Sequence, residues 1–434
     1  MTSLATKPAA PAALTASDPS PSEVALALLV ATIVLLPIAT GTVAWSAPGG
    51  DADFTRRVTF QLFDLALVLM GCARIHALLA EGRGRGTAAV ALAATAHRAV
   101  GSALALSITV LGTAGVVALA AHPSPRGAEL AARIGVGALA AQAVIAAPSQ
   151  WLVRVQATVA LVASADALLA IAQSAHGAPL GLRWLEFDGP LYPFGSSHAG
   201  RGGLTHPYHL AMFLEVGIVA ALLALRHTRR RLPWLVALAT CSAGLGVTYS
   251  RAAAIGVAAA VVALSWPRRN RRDDPSKHMY IVAACVMLAG VAVTGLTMGN
   301  GWYSRASSST NLQSADSGRL DRAREGLDMI RDNPIVGVGP GRYTIVRAEN
   351  GDVAPLPPHN VVLHAGAEAG VLAGFAVAAI GLLLVLRYLR APREVTAAFV
   401  LIVPYFAFDA YPYIFPAGLF LSALWFGLLE RARH

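Results

Sequence analysis

Apolar runs long enough to cross a lipid bilayer recur from residue 24 almost to the last residue. A run of about 17 to 25 apolar residues covers roughly 30 Å of hydrocarbon. Inside that layer each backbone N–H and C=O must be satisfied within its own segment, so a chain of such runs is read as helices. Twelve runs are expected, at 24–45, 58–79, 99–121, 128–147, 155–175, 207–226, 232–249, 251–266, 278–298, 360–386, 394–412 and 416–430. Residues 87–98 are apolar too, but His97 and Arg98 interrupt them, which makes them the entry to the third run. With 56% hydrophobic and 13% charged residues and a mean hydropathy of +0.57, the chain lies far from the balance of water-soluble domains. The fold class expected is an all-α polytopic membrane protein.

The net charge of +10 follows the same plan. Basic residues gather at Arg83 and Arg85, at Arg226 and Arg229 to Arg231, from Arg268 to Lys277, at Arg387, Arg390 and Arg393, and at Arg431 and Arg433. These fall on alternate loops, and basic loops face the cytoplasm, so both termini are expected there. Arginines confined to short loops make no soluble basic domain, which argues against nucleic acid as a partner. Residues 1–22, rich in Ala, Pro, Ser and Thr, are expected to be a disordered tail ahead of one membrane-embedded unit at 23–434. The tail lacks the basic start and apolar core of a cleavable signal, so the first run is expected to stay. Cys72, Cys241 and Cys285 lie inside apolar runs, at a spacing that suits neither zinc nor a disulfide framework.

Two loops on the outward side are long, at about 176–206 and 299–358. Within the second, DSGRLDRAREGLDMIRDNP predicts an amphipathic helix with Asp316 or Ser317 as N-cap, Leu320, Leu327 and Ile330 on roughly one face, and a stop at Pro334. IVGVGPGRY follows, with glycines at 337, 339 and 341. They suit a tight turn; a phosphate cradle is the alternative, without the strand-then-helix context of a nucleotide fold.

The runs beginning near 207, 251 and 360 all cross from outside to inside, so their partially positive N-terminal ends share one face. AGRGGLTHPYHL, with Arg201, His206 and His209, precedes the first of them. TYSRAAAIG, with Arg251, opens the second, and His359-Asn360 opens the third. Such a group favours an anion, above all a phosphate. Simpler roles exist for each member: an arginine at a helix end snorkels to the interface, and a histidine before asparagine can belong to a helix cap. Arg251 is the hardest to explain that way. It interrupts nearly continuous apolar sequence, and a charge at mid-membrane costs about 2.5–3.5 kcal/mol unless it meets water or an anion.

AGRGGLTHPYHL, TYSRAAAIG, SGRLDRAREGLDMIRDNPIVGVGPGRY and PHNVVLHAGAEAGVLAG occur in the order seen in the O-antigen ligase and polymerase superfamily, which the chain resembles over 195–386. His209 stands where that family often has asparagine, and the amphipathic helix carries Arg and Glu where it often has an aromatic residue. The resemblance implies a bacterial cytoplasmic-membrane glycosyltransferase of the GT-C type, working without a cofactor. Its donor would be a glycan on polyprenyl diphosphate, its acceptor a glycan or lipid-linked glycan, and its surroundings membrane lipid. It maps the catalytic histidine onto His359 and the diphosphate-binding arginines onto Arg201 and Arg251, with Arg319 and Arg342 as further carry-overs. Asn360, His206, His209, Glu368 and Asp409 are supporting candidates. An arginine-bound diphosphate is a good leaving group without a metal, and a histidine can take the acceptor's proton.

Two other readings remain. Asp51 and Asp53, in the first outward loop, form a carboxylate pair of the type a metal-dependent GT-C enzyme uses. A twelve-span transporter would use Asp64, Asp166, Glu215, Glu368 and Asp409 as relay carboxylates, although the chain lacks matching halves. Glu215 and Glu368 are otherwise expected to cap or bridge helices near the site, and Asp409 to orient substrate.

Overall fold

The computed structural model describes residues 20–38, 41–46, 57–82, 102–182, 185–187, 189–266, 277–297, 301–307, 309–352, 355–409 and 411–433. The first helix, α1 (Pro21–Leu35), opens with a capping box in which Ser20 and Glu23 satisfy each other's backbone N–H groups. It ends before Pro37, well short of residue 45. The remainder of that run forms β1 (Gly41–Ser46), which pairs antiparallel with β2 (Arg57–Gln61). The helix starts at Pro21 with Ser20 as its cap, so residues 20–22 belong to this element and not to a tail; residues 1–19 lie outside the described residues.

Next come α2 (Leu62–Gly82), α3 (Ser102–Ala121), α4 (Pro125–Ala146) and α5 (Ser149–His176). A second small hairpin, β3 (Tyr192–Phe194) with β4 (Ser197–Ala199), sits in the first long loop. Then follow α6 (Pro207–Leu225), α7 (Leu232–Gly246), α8 (Arg251–Ser265), α9 (Lys277–Thr297), α10 (Gly301–Ser307), α11 (Ser309–Asp332) and α12 (Tyr343–Glu349). The chain closes with α13 (Val361–Ala369), α14 (Val371–Tyr388), α15 (Arg393–Phe408), α16 (Tyr411–Ile414) and α17 (Pro416–Arg433). The all-α expectation therefore holds for the bundle, with two short hairpins added to its loops.

Among the described residues, seven helices are long and apolar enough to cross a membrane: α2, α3, α4, α5, α6, α9 and α14. The expected run 360–386 is two helices, α13 and α14, separated at Gly370. There φ is +85°, a conformation only glycine adopts without strain, and an added Cβ would lie 2.1 Å from the Ile335 carbonyl oxygen.

Helix α6 is the centre of the bundle. Residues 209–225 are all buried, and α5, α7, α15 and α17 pack around it. A helix apolar on every side requires such a jacket. Small residues allow the approach, as is usual between membrane helices: a Cβ on Gly217 would sit 2.6 Å from the Cβ of Ala163 on α5. Where α8 meets α15, a Cβ on Gly256 would sit 2.0 Å from the Leu401 carbonyl oxygen.

The two ends of the bundle differ. At one end, the C-terminus of α6 meets the ends of α14, α15 and α17 through ion pairs. Arg387 reaches Glu430 at 2.5 Å and Arg226 reaches Glu394 at 3.5 Å. The hydroxyl of Tyr388 donates to Glu430, and the Arg226 guanidinium donates to the Ala432 carbonyl. The opposite end carries the hairpins, the Gly-rich segments, α11 to α13 and α16. Asp64, a transporter candidate, is held by Arg133 at 3.1 Å and by the Gln61 N–H, as part of a buried network with Glu129 and Arg126. A paired carboxylate of this kind fixes helices α2 and α4 rather than relaying protons.

Gly256→Ala is expected to force α8 from α15 and to lower stability by about 1–3 kcal/mol, the usual result of overpacking. A thermal-unfolding midpoint in detergent that matches the parent would contradict the close approach described.

Candidate functional site

Three segments converge at the end of the bundle opposite the ion pairs. The first is the AGRGG stretch, which lies flat on α5. The Asp166 carboxylate accepts from the Gly203 N–H at 2.7 Å, and the Gln173 carbonyl accepts from the Arg201 and Gly202 N–H groups at 3.1 and 2.9 Å. A Cβ on Gly200 would fall 2.2 Å from the Ala170 carbonyl oxygen, which is why the stretch is glycine-rich. The Arg201 side chain is buried, and its guanidinium donates to the carbonyls of Phe187 and Gly189 at 2.6 Å and of Pro190 at 3.2 Å. The arginine expected to grip a diphosphate thus holds its own loop together.

The two neighbouring histidines also make local contacts. His206 is the N-cap of α6 and accepts from the Tyr208 N–H. His209 hydrogen-bonds Thr205 at 2.8 Å and stacks on Tyr411, with ring centroids 4.0 Å apart. Asp409 accepts from the Tyr411 N–H at 3.0 Å and so caps the turn into α16.

The second segment is TYSRA. Gly200 donates to the Val247 carbonyl at 3.0 Å, which joins this turn to the AGRGG stretch. Tyr249 is fully buried between Phe194 and Trp302 and holds a left-handed backbone, φ +51°. Such a conformation in a non-glycine residue costs of order 1–3 kcal/mol and persists only where its surroundings enforce it. Ser250 caps α8, and Arg251 is the first residue of that helix. The Nε of Arg251 is buried without a hydrogen-bond partner. A buried guanidinium donor left open is costly, and it marks a place for an acceptor.

The third segment is the outward loop with α13. Helix α11 runs Ser309–Asp332, so it begins before Asp316 and Ser317, which are not its caps. Leu320 and Leu327 are exposed, whereas Met329 and Ile330 pack inward. The inward face is the one carrying Arg319, Arg322 and Gly326, and a Cβ on Gly326 would touch Pro358 and Leu363 at 3.7 Å. Asn360, not His359, caps α13, accepting from the Val362 and Leu363 N–H groups at 3.0 and 3.2 Å. His359 is thereby released from any capping role, and its Nδ1 is buried without a partner. Burial, and then the positive charges of Arg319 and Arg322, push the imidazole pKa down to about 4.

Glu368 is the clamp of this region. Its carboxylate accepts from the Gly341 N–H at 2.9 Å, from the Tyr343 N–H at 3.2 Å, and faces His364 at 3.4 Å. Gly337, Gly339 and Gly341 all have positive φ, so the GVGPG turn curls against the end of α13; its Val338 and Gly339 N–H groups donate to the Ala367 and Glu368 carbonyls. This is the bridging role expected of Glu368. Glu215, by contrast, makes no hydrogen bond; it is buried in α6 against Gly256. Arg342 stands at the N-cap position of α12 without a side-chain cap bond.

Helix α16 links the segments, because Tyr411 stacks on His209 while the Tyr413 hydroxyl donates to the Pro358 carbonyl at 2.8 Å. Sequence reasoning missed Arg322, one turn beyond Arg319; the i,i+3 spacing was its signal. It also missed His364, four residues before Glu368, and Arg126, which donates to the Ile414 carbonyl and for which the sequence held no signal. Asp51 and Asp53 lie outside the described residues. Among the described residues, no cluster of three or more His, Cys, Asp or Glu is spaced to hold a metal.

The stretch from α7 to α14 is the one that carries Arg251, α11, the glycine turn and His359. Residues 234–378 match the O-antigen ligase family. No curated protein matches the chain. The resemblance drawn from the motifs is therefore borne out over that stretch, and it supports an enzyme of O-antigen ligase-like glycan transfer. Arg201, His206, His209 and Asp409 fall outside the matched residues.

Glu368→Gln would leave one of two backbone N–H groups facing an amide donor. It is expected to cost about 1–3 kcal/mol and to expose residues 337–343 to protease. Limited proteolysis with the parent's cleavage rate would remove Glu368 from this role.

Proposed function

We propose that the chain transfers a glycan from polyprenyl diphosphate to an acceptor hydroxyl at the outer face of the cytoplasmic membrane, with inversion and without a metal. The observation that carries this reading is His359, neutral, with its buried Nδ1 unpartnered, set against Arg319 and Arg322 on a stretch that matches the O-antigen ligase family.

The chemistry follows from charge. The sugar's anomeric carbon is bonded to a phosphate oxygen. As that bond breaks, the electron pair stays on the diphosphate, and cations placed beforehand stabilise it. Arg251, Arg319 and Arg322 fill this role, with Arg342 at the edge and Arg201 keeping the first loop in shape. His359 accepts the acceptor's hydroxyl proton while the new carbon–oxygen bond forms on the opposite side of the ring. A base with a pKa near 4 would be weak, but a bound diphosphate offsets the two arginines and raises it toward the operating pH.

Three features make the assignment testable. His359→Ala is expected to reduce turnover by roughly 10²- to 10⁴-fold, the range for losing a general base, with binding of the lipid diphosphate kept. Arg322→Gln is expected to weaken both, and Arg322→Lys to rescue poorly, since an ammonium lacks the planar fork. Purified protein incubated with polyprenyl-diphosphate glycan and acceptor, with and without EDTA, and followed by product analysis, gives these values and distinguishes ligation from polymerisation. A His359→Ala enzyme with near-parental turnover, or full loss in EDTA, would overturn the mechanism.

The pH profile carries the sign. The neutral base exists above the folded pKa, so the acid limb of kcat/KM, which reports free enzyme, is expected near pH 4. The limb of kcat should lie higher, because the bound anion raises the pKa. Arg322→Gln removes one of the depressing charges and should shift the kcat/KM limb upward. A limb unmoved by that change would separate Arg322 from His359.

A further inference from the structure

A cavity of about 410 Å³ opens at the end of the bundle opposite His359. Helix α6 runs 19 residues between His206 at one end and Arg226 at the other, a rise of about 28 Å at 1.5 Å per residue. This is close to the roughly 30 Å of a bilayer's hydrocarbon core, so a cavity beside Arg226 lies at headgroup depth. Its polar lining includes Ser149, Gln156, Arg226, His227 and Arg431, and Trp234 stands among its apolar residues. Three basic side chains thus share the cavity, and the nearby carboxylate is Glu394, 3.5 Å from Arg226. Burial and then Arg226 and Arg431 lower the pKa of His227, against the opposing charge of Glu394. Apart from Thr228, the remaining wall is apolar: Leu152 and Val153 from α5 and Ala224 from α6 line the same space.

We propose that this cavity binds the headgroup of an anionic phospholipid, with the phosphate at Arg226 and Arg431 and an acyl chain along Leu152, Val153 and Trp234. Basic pockets between membrane helices recognise such headgroups. An indole at the water–lipid boundary suits one polar and one apolar neighbour, and Ser149 and Gln156 offer hydrogen bonds to a headgroup hydroxyl. A soluble phosphate compound would share the charge contacts but leave the apolar wall unused.

The test uses the full-length protein in detergent and native mass spectrometry, with dioleoylphosphatidylglycerol, dioleoylphosphatidylcholine and inorganic phosphate as probes. The anionic lipid is expected to bind more tightly than the zwitterionic one. Arg431→Gln should weaken it about fivefold, the effect of one basic residue near a lipid surface. Val153→Trp, which adds bulk to the cavity wall without altering charge, should weaken it as well. Arg390→Gln, an exposed arginine outside the cavity lining, serves as the charge control and should leave binding unchanged. Equal binding of the two lipids, equal loss in Arg390→Gln, or parental binding in both cavity variants would overturn the proposal. Displacement of the lipid by inorganic phosphate at similar concentration would reassign the cavity to a soluble anion. The probes read binding directly, so failure here leaves the reading of His359 untouched, and failure there leaves this site standing.

Discussion

The outward-loop part of the candidate site depends on one buried carboxylate. Glu368 reaches from the end of α13 to two backbone N–H groups of the glycine turn, while the Val338 and Gly339 N–H groups return to carbonyls of the same helix end. Hydrogen bonds to a charged acceptor in a dry environment are strong, and leaving either partner open is costly. The clamp requires a helix that stops, and Gly370 stops it. Once α13 and the turn are joined, α12 is fixed, and α11 is held by the packing of Met329 and Ile330 against Val338, Tyr343 and Ala367. The charges of Arg319 and Arg322 then act on His359.

Electrostatics then divides the arginines into two groups. Arg201 and Arg126 are directed at main-chain carbonyls and hold loops in place. Arg251 keeps a buried donor open, and Arg319 and Arg322 act on a neutral imidazole. Under the proposed function, a site of this second kind suits an anion, since each cation would gain a partner and His359 would gain proton affinity when negative charge enters. The strained backbone of Tyr249 belongs to the same arrangement, because it sets the turn from which Arg251 departs.

The bundle beneath is built for rigidity. Helix α6 is wrapped by four others, and glycine and alanine contacts let α5 meet α6 and α8 meet α15 closely. Ion pairs tie the far end, where α14 and α17 finish and α15 begins. A site assembled from loops needs such a scaffold to hold its side chains in register.

Much of this was legible in the chain itself. Long apolar runs have one economical fold in lipid, so helices could be placed from hydropathy alone, and the motif order pointed to the family that residues 234–378 match. His359, Arg251 and Glu368 stood out because a polar residue beside apolar sequence needs a reason. Tertiary structure decided what periodicity cannot express. It ended the first helix ahead of Pro37 and made Gly41–Ser46 a strand, and it broke a later run at Gly370. It set the inward face of α11 by the partner available, so Met329 and Ile330 pack against Val338, Tyr343 and Ala367 while Leu320 and Leu327 stay exposed. It also assigned the cap to Asn360 and committed Arg201 to its own loop. Charge and hydropathy are properties of single residues, and the sequence carries them; a partner for an arginine is a meeting of distant segments, and only the packed bundle supplies it.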